Sequence, residues 1–289
     1  MPGTALAQEV PPTPPAAAPA QDHPASSGDP IVVTARPLPP KDEIRALART
    51  ITPPSGSNEP LARFHDSVCF GTAGLDRRSL EDIGNRLAAD AEQAGLDLAG
   101  DGCKPNVIIL FVDGVDAQIR TLVQRKWWVF GDRTPAEIRG VVNEKGPVRA
   151  WSNNEIRSRD GNRIRPNGVL NIESASRIVS SIRRDTLASV VLIERSAAVG
   201  KTTSQLADYA AMRALAGARS QHTSGRDTIL ALFDPATATA PAELTAFDRG
   251  YLRGLYAGEA NAFASTTKGR IVREVLKAKA AEEARAGKN

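Results

Sequence analysis

The sequence predicts an α+β fold, in which a mixed sheet with packed helices and a C-terminal helical lobe follows a disordered tail rich in proline and alanine. Most of the 20 prolines fall in the first 60 residues, where large apolar side chains are scarce. Short apolar runs typical of strands lie between residues 64 and 193, and helical periodicity dominates the last third. We therefore expect a tail over residues 1–60 and one domain over residues 61–289, with the helical lobe at residues 226–289.

Charge and composition restrict the classes of function. The net charge is +4, but acidic and basic residues alternate along most of the chain, and aromatic residues make up only 4%. A nucleic-acid binder would cluster its positive charge and supply aromatic side chains for stacking. The longest apolar run is Val107–Val112, far shorter than the roughly 20 residues that cross a bilayer. We expect neither a nucleic-acid partner nor a transmembrane segment.

The first residues suggest export. Ala5, Leu6 and Ala7 have the small-x-small form of a signal-peptidase cleavage site, so residues 1–7 are interpreted as the remnant of a signal peptide. The alternative is an alanine-rich tail that matches this short pattern by chance. The first interpretation predicts a protein of the periplasm, or a secreted protein, of a Gram-negative envelope.

Within the tail, two segments depart from the disordered composition. Residues 41–50 are able to form a short helix, and the segment from Asp29 to Arg36 concentrates β-branched residues between two prolines. Such a segment can add a strand to the sheet edge of a partner. It resembles the TonB box of TonB-dependent outer-membrane transporters, which implies a TonB-like periplasmic partner. The partner-binding residues would be Ile31, Val32, Val33, Thr34 and Ala35. The alternative is a β-prone patch that arose by chance.

A βαβ unit is predicted at the start of the domain. A strand is expected at residues 64–70 and a buried strand at Val107–Val112. Between them, apolar residues recur at helical spacing, and Gly95 is placed to end the helix. Cys69 and Cys103 are the only cysteines, so in an exported chain we expect one disulfide between them, which would stabilise by about 3 to 4 kcal/mol. No metal site is expected, because no histidine lies at ligand spacing.

The remaining elements follow from caps and periodicity. Thr134 and Glu137 form a capping box that begins a helix, and Asp160 with Gly161 predicts the turn of a hairpin whose second arm includes Ile164 and Val169. A further strand is expected at residues 190–193, and helices at residues 202–215, 244–255 and 264–289, the last polar and fraying. Three glycines spaced by four residues predict close helix packing; they are Gly250, Gly254 and Gly258.

Two clusters of residues suggest binding of anions. Gly200, Lys201 and Thr202 open a helix after a strand, as in a phosphate-binding P-loop, although Arg195 stands where that loop needs its first glycine. Several arginines crowd around residues 157–165 and 177–184. They form either a surface for an anionic envelope component or an internally paired face, because acidic residues lie among them.

Two resemblances cover the domain. Cys69 and residues 102–107, 146–151, 157–161 and 199–210 are similar to a family of uncharacterised exported proteins of alphaproteobacteria over about residues 60–260; this implies export and a single domain, and no particular activity. The order of elements also resembles zinc-peptidase folds, whose central helix carries His-Glu-x-x-His. Here that helix reads Gln-Leu-Ala-Asp-Tyr at residues 205–209, so the metal ligands are absent.

These observations predict a non-catalytic envelope protein whose tail binds a TonB-like partner by strand addition, without a cofactor. One alternative is a hydrolase of degenerate peptidase-like fold that uses Asp208, Tyr209 or Glu155 in a central cleft. A second alternative is a nucleotide-binding protein with a deviant P-loop at residues 200–202.

Overall fold

The computed structural model describes residues 41–288 except Ser57 and residues 165–178. The predicted signal-peptide remnant, the TonB-box-like segment at residues 30–36 and most of the second arm of the predicted hairpin therefore lie outside the described residues. Within the described part of the chain, no helix is both long enough and apolar enough to cross a membrane.

One mixed sheet organises the described residues. Its strands are β1 (Phe70–Ala73), β2 (Val107–Val112), β3 (Val148–Ser158) and β4 (Ile182–Glu194), and their order across the sheet is β1-β2-β4-β3. β2 runs parallel to both β1 and β4, whereas β3 is antiparallel to β4. With the helices below, this confirms the predicted α+β class and its mixed sheet.

The other regular elements of the described chain are helices. The α-helices are α1 (Lys41–Ile51), α2 (Arg77–Ala94), α3 (Val115–Arg125), α4 (Pro135–Val142), α5 (Arg195–Ala198), α6 (Thr203–Leu215), α7 (Ala246–Tyr256) and α8 (Ala264–Ala286). Two 3-10 helices accompany them, at Trp127–Phe130 and Ile229–Phe233. Thr134 and Thr202 each accept a hydrogen bond from the backbone N–H three residues later. The predicted helix starts are therefore confirmed.

The βαβ unit is β1-α2-β2. Asp76 caps the start of α2, and Gly95 ends it in the left-handed conformation with φ 91°, which glycine adopts without strain. The predicted strand at residues 64–70 is wrong except for its last residue, since β1 begins at Phe70. Val68 makes only a single bridge, to Leu98, and Phe64 is buried in the core outside any ladder. These apolar residues are buried in a loop, and in the sequence their apolar character resembled that of a strand.

The disulfide is present between Cys69 and Cys103, whose Cα atoms lie 6.1 Å apart. It links the residue before β1 to the loop that leads into β2. Asn106 reinforces the same connection, because its carboxamide oxygen accepts the Cys69 N–H at 2.8 Å. The entry of the first two strands into the sheet is thereby fixed covalently.

The two faces of the sheet carry different hydrophobic clusters. Successive strand residues point to opposite faces, and in β4 Val191 and Ile193 join the larger cluster, whereas Leu192 joins the smaller. The larger cluster contains residues of α1, α2, α6, α7 and α8. The smaller cluster is built from α3, α4, Phe130 and Trp151. β3 lies at the edge of the sheet, where the two layers of helices meet.

The C-terminal lobe is held by close packing of α7 against α8. A β-carbon at Gly250 would lie 2.4 Å from Cα of Val275, and one at Gly254 would lie 2.4 Å from Cα of Ile271. The predicted close contact is thus confirmed for Gly250 and Gly254, but it is wrong for Gly258, which lies beyond the end of α7 in the left-handed conformation with φ 70°. The prediction of a polar, fraying last helix is wrong over its first half, because Ile271, Val272 and Val275 are buried.

The predicted tail boundary at residue 60 is wrong, because the described residues from 41 to 60 belong to the folded part. α1 buries its apolar stripe, formed by Ile44, Leu47, Ala48 and Ile51. The backbone carbonyl of Ile51 then accepts a hydrogen bond from the Arg219 N–H. The surrounding prolines led the sequence prediction to assign this helix to the tail.

The predicted hairpin is partly corrected. The Gly161 N–H donates to the Ser158 carbonyl, and Arg157 forms a bridge with Arg163, so a tight turn is present. The long described partner of β3 is, however, β4, whereas residues 165–178 of the predicted second arm lie outside the described residues.

Candidate binding cleft

The three residues of the predicted catalytic alternative are not brought together. Asp208 is fully buried and accepts two hydrogen bonds from Arg86, at 2.7 and 2.8 Å. Tyr209 is buried edge-on against Phe233. Glu155 lies on β3 and pairs with Arg157. None of the three lines the cleft described below.

A second carboxyl group lies beside Asp208. Asp90 of α2 is 1% exposed, and neither of its oxygens has a hydrogen-bond partner, although Arg86 Nε approaches Oδ1 to 3.4 Å. Burial, and then repulsion by Asp208, raises the pKa of Asp90 to about 8, against the opposing attraction of Arg86. The group therefore carries a proton near neutral pH. It lies between packed helices, so it is not placed to act on a bound molecule.

The P-loop-like residues form an ordinary helix start. Thr202 caps α6, and its N–H donates to Gln205 Oε1 at 3.1 Å. The donors that a phosphate would need in this first turn are thus partly used inside the chain. Arg195 opens the short helix α5 and lies 3.3 Å from Asp113, so no glycine loop wraps a ligand position here.

The arginine cluster at the far end of β3 and β4 is largely paired. The carboxylate of buried Asp185 lies 2.9 Å from Arg183 Nη2 and 3.3 Å from Arg157 Nη1, and His65 Nε2 lies 3.7 Å from it. Burial and the charge of Arg63 lower the pKa of His65 to about 4, so the imidazole is neutral at pH 7. These contacts favour the internally paired interpretation over an open anion surface.

Arg63 is occupied in the same region. Its guanidinium donates to three backbone carbonyls at and after the end of α7, those of Leu255, Ala257 and Gly258. These carbonyls have no partner within the helix. The side chain therefore fastens the C-terminal lobe to the loop before β1.

A cleft of about 540 Å³ opens along the edge strand β3. Besides β3 and β4, its lining comes from α4 and the loops before and after it, from residues 52–55 and 61–62, from the end of α6 with the loop after it, and from Tyr251 and Leu255 of α7. Its size lies within the range of small-molecule sites. Four arginines and two glutamates lie on its walls; they are Arg133, Arg184, Arg213, Arg219, Glu137 and Glu144.

Two of these arginines have no acidic partner among the residues that the structure describes. Both Nε and Nη2 of Arg133 donate to the Ser152 carbonyl, at 3.2 and 3.0 Å. Arg219 donates through Nη2 to the Thr50 carbonyl at 2.8 Å. Among the described residues, neither guanidinium lies within 4.0 Å of a carboxylate oxygen. Burial lowers the pKa of Arg133, with Glu137 opposing it, so its charge is partly desolvated and not neutralised by a direct ion pair.

The other charges of the cleft are compensated. Arg213 is 4% exposed and its Nη2 lies 2.6 Å from Glu144 Oε1, which joins α6 to the end of α4. Arg184 lies 3.3 Å from Glu59 at the rim. A hydroxyl pair adds a neutral polar wall, where Tyr251 and Thr52 are 2.7 Å apart. Burial raises the pKa of Tyr251 to about 12, so its hydroxyl stays protonated.

Sequence reasoning missed this site. Its arginines come from three separate segments, at residue 133, at residue 184 and at residues 213–219, and lie among neutral or mixed-charge neighbours. Of the four, only Arg184 belongs to an arginine cluster noted in the sequence. The arginines that stood out in the sequence were those near residue 160, of which Arg157 and Arg163 are paired with Glu155. Comparisons of the chain with protein-family models, with curated proteins and with solved structures found no match.

Proposed function

We propose that this chain is an extracytoplasmic binding protein whose folded part holds an anionic small molecule, or the anionic end of a larger one, in the cleft along β3. The observation that carries the proposal is the pair Arg133 and Arg219, whose guanidinium groups face one cleft with carbonyl oxygens as their acceptors.

The charges of the lining support an anionic ligand. The cleft contains four arginines against two glutamates, and Glu144 is already used by Arg213. Partly buried cations without a counter-ion are costly, and a ligand that supplies the missing negative charge relieves that cost. Guanidinium groups bind carboxylate and phosphate oxygens in two-point contacts.

Location outside the cytoplasm rests on the disulfide. Disulfides persist in oxidising compartments and are rare in the cytosol. The periplasm of a Gram-negative envelope remains the preferred compartment, because the alanine-rich start and the TonB-box-like segment both indicate it.

Binding in place of hydrolysis is favoured by the lining of the cleft. Asp208, Tyr209 and Glu155 lie outside it, and each is held by other residues. The acidic residues that do line it, Glu137 and Glu144, are engaged in the helix cap of Thr134 and in the ion pair with Arg213.

Calorimetric titration of the full-length protein with inorganic phosphate, pyrophosphate and succinate tests the cleft. We expect at least one of these anions to bind, and Arg133→Gln and Arg219→Gln each to weaken its binding by about tenfold or more. Arg226→Gln is the matched control, since Arg226 is exposed and does not line the cleft. Equal binding by all four proteins, or none of these anions bound by the wild type, contradicts the proposal.

We propose in addition that the tail binds a TonB-like periplasmic protein through Ile31, Val32, Val33, Thr34 and Ala35 by adding a strand to its sheet. The support is the β-branched segment between Pro30 and Pro37. A labelled peptide of residues 24–40 is titrated with a TonB periplasmic domain. Val32→Pro removes a backbone donor and should abolish binding; binding that survives this change, or no binding by the unaltered peptide, contradicts the proposal.

A further inference from the structure

Two adjacent tryptophans lie unprotected on the surface. Trp127 is 64% exposed and Trp128 is 60% exposed, whereas the third tryptophan, Trp151, is 3% exposed. Exposed apolar side chains of this size are costly in water unless they meet a partner. They occupy the 3-10 helix Trp127–Phe130, between α3 and α4.

The turn that carries them is firmly anchored. Phe130 is fully buried, and its ring packs on Trp151 with 4.9 Å between centroids. The Val129 carbonyl accepts hydrogen bonds from Trp151 Nε1 at 3.0 Å and from Asn153 Nδ2 at 3.1 Å. The two exposed rings therefore project from a fixed support, so little conformational entropy is lost when they dock.

Exposed basic residues lie close to the two tryptophans in the sequence, on the helices that precede and follow them. Arg120, Arg125 and Lys126 on and after α3, and Arg139 on α4, are all exposed. Within the described part of the chain, none of the four lies within 4.0 Å of a carboxylate, in contrast to the paired arginines around Asp185. The exposed acidic residues of the same elements are Asp132, Asp116 and Glu137. Asp116 is paired with Arg149 and Glu137 accepts the Thr134 N–H in the cap of α4, so the remaining charge of this surface is positive.

From this combination we infer that the surface formed by Trp127, Trp128, Arg120, Arg125, Lys126 and Arg139 docks the protein onto an anionic lipid bilayer. Tryptophan rings favour the interface between headgroups and acyl chains, because one part of the indole is apolar and the N–H is polar. Lysine and arginine beside them are attracted by anionic headgroups. An acidic protein surface would match the charges as well, but it would not require two adjacent rings that project freely.

The inference is independent of the cleft and of the tail. Flotation of the full-length protein with vesicles of phosphatidylglycerol and phosphatidylethanolamine, and with vesicles of phosphatidylcholine alone, tests it. We expect binding to the anionic vesicles that is at least tenfold stronger than to the neutral ones, accompanied by a blue shift of tryptophan emission. Trp127→Ser together with Trp128→Ser should abolish this binding.

The charge contribution has its own matched pair. Arg120→Glu with Lys126→Glu should weaken binding by about fivefold or more for each charge removed. Arg78→Glu with Arg273→Glu changes the net charge by the same amount at exposed residues of α2 and α8. Binding of this control variant should stay within about twofold of the wild-type value, because salt screens charges that do not meet the bilayer. Val199→Ser removes another apolar side chain, which is 80% exposed, and should have no effect.

Several outcomes would overturn the inference. They are equal binding to neutral and anionic vesicles, retention of binding by the double tryptophan variant, and equal losses in the two charge variants. Absence of vesicle binding, with the tryptophans instead protected in a complex with an acidic protein, would assign the surface to protein docking and reject the membrane.

Discussion

Arg86 of α2 and Asp208 of α6 form a two-point ion pair, in which Nε lies 2.7 Å from Oδ1 and Nη2 lies 2.8 Å from Oδ2. The Leu244 N–H also donates to Asp208. One buried carboxylate thus joins two helices of the larger core to the segment that begins α7.

Removal of the arginine should be strongly destabilising. In Arg86→Met, Asp208 stays buried and loses both charged donors, so we expect the free energy of unfolding to fall by about 3 kcal/mol. Denaturant unfolding measures the change. Arg78→Met, on the exposed side of the same helix, should change stability by less than about 0.5 kcal/mol. Arg86→Met with Asp208→Asn should recover part of the loss; if it does not, the pair is not the cause.

Asp90 should make stability depend on pH. Its ordinary pKa of 3.8 applies in the unfolded chain, and burial raises the folded value to about 8. Between these values the folded state keeps a proton that the unfolded state releases, so the free energy of unfolding falls as pH rises from about 4 to about 8.

The matching measurement compares denaturation midpoints of wild type and Asp90→Asn at pH 5 and pH 8. Since the amide cannot ionise, the free energy of unfolding of the variant should rise relative to that of the wild type by about 1 kcal/mol or more between pH 5 and pH 8. Asp82→Asn replaces an exposed carboxyl group of the same helix and should follow the wild-type profile. Parallel profiles for wild type and Asp90→Asn would contradict the prediction.

Gly254 should not tolerate a side chain. A β-carbon there would lie 2.4 Å from Cα of Ile271, so Gly254→Ala must separate α7 from α8, at a cost of about 1–3 kcal/mol. Gly269→Ala is the control in the partner helix, because its β-carbon would meet nothing within 4 Å. Alanine should stabilise that position by about 0.5–1 kcal/mol. Thermal unfolding should therefore shift in opposite directions in the two variants.

The disulfide should contribute measurably to stability. Cys69→Ser with Cys103→Ser should lower the free energy of unfolding by about 3–4 kcal/mol, since the bridge spans 34 residues in sequence. Dithiothreitol should lower the unfolding midpoint of the wild type and leave that of the double variant unchanged. A wild-type midpoint that is insensitive to reductant would count against the assignment.

Local sequence patterns predicted many of the elements well. The apolar run at Val107–Val112, the stop at Gly95 and the cap at Thr134 were each defined by neighbouring residues, and each is present in the structure. The disulfide between Cys69 and Cys103 could be predicted because the sequence contains no other cysteine.

Features that depend on distant contacts were missed. A short helix was predicted at residues 41–50, but its place in the domain depends on its burial in the larger core and on its contact with α8. The partner of β3 is β4, across a segment of more than twenty residues, while the tight turn at Gly161 suggested a nearer one. The cleft brings together arginines from three separate segments of the chain, so no local sequence pattern predicted it.

The position of α1 has a mechanical consequence. α1 is the first described element of the chain, and its last turn holds Arg219 through the carbonyls of Thr50 and Ile51. A pull on the chain ahead of Lys41 would enter the fold at this helix and load its contacts with α8 before it reached the sheet. The same pull would displace one of the two cleft arginines that lack a counter-ion. Tension on the tail and an anion in the cleft would then oppose each other through the position of α1.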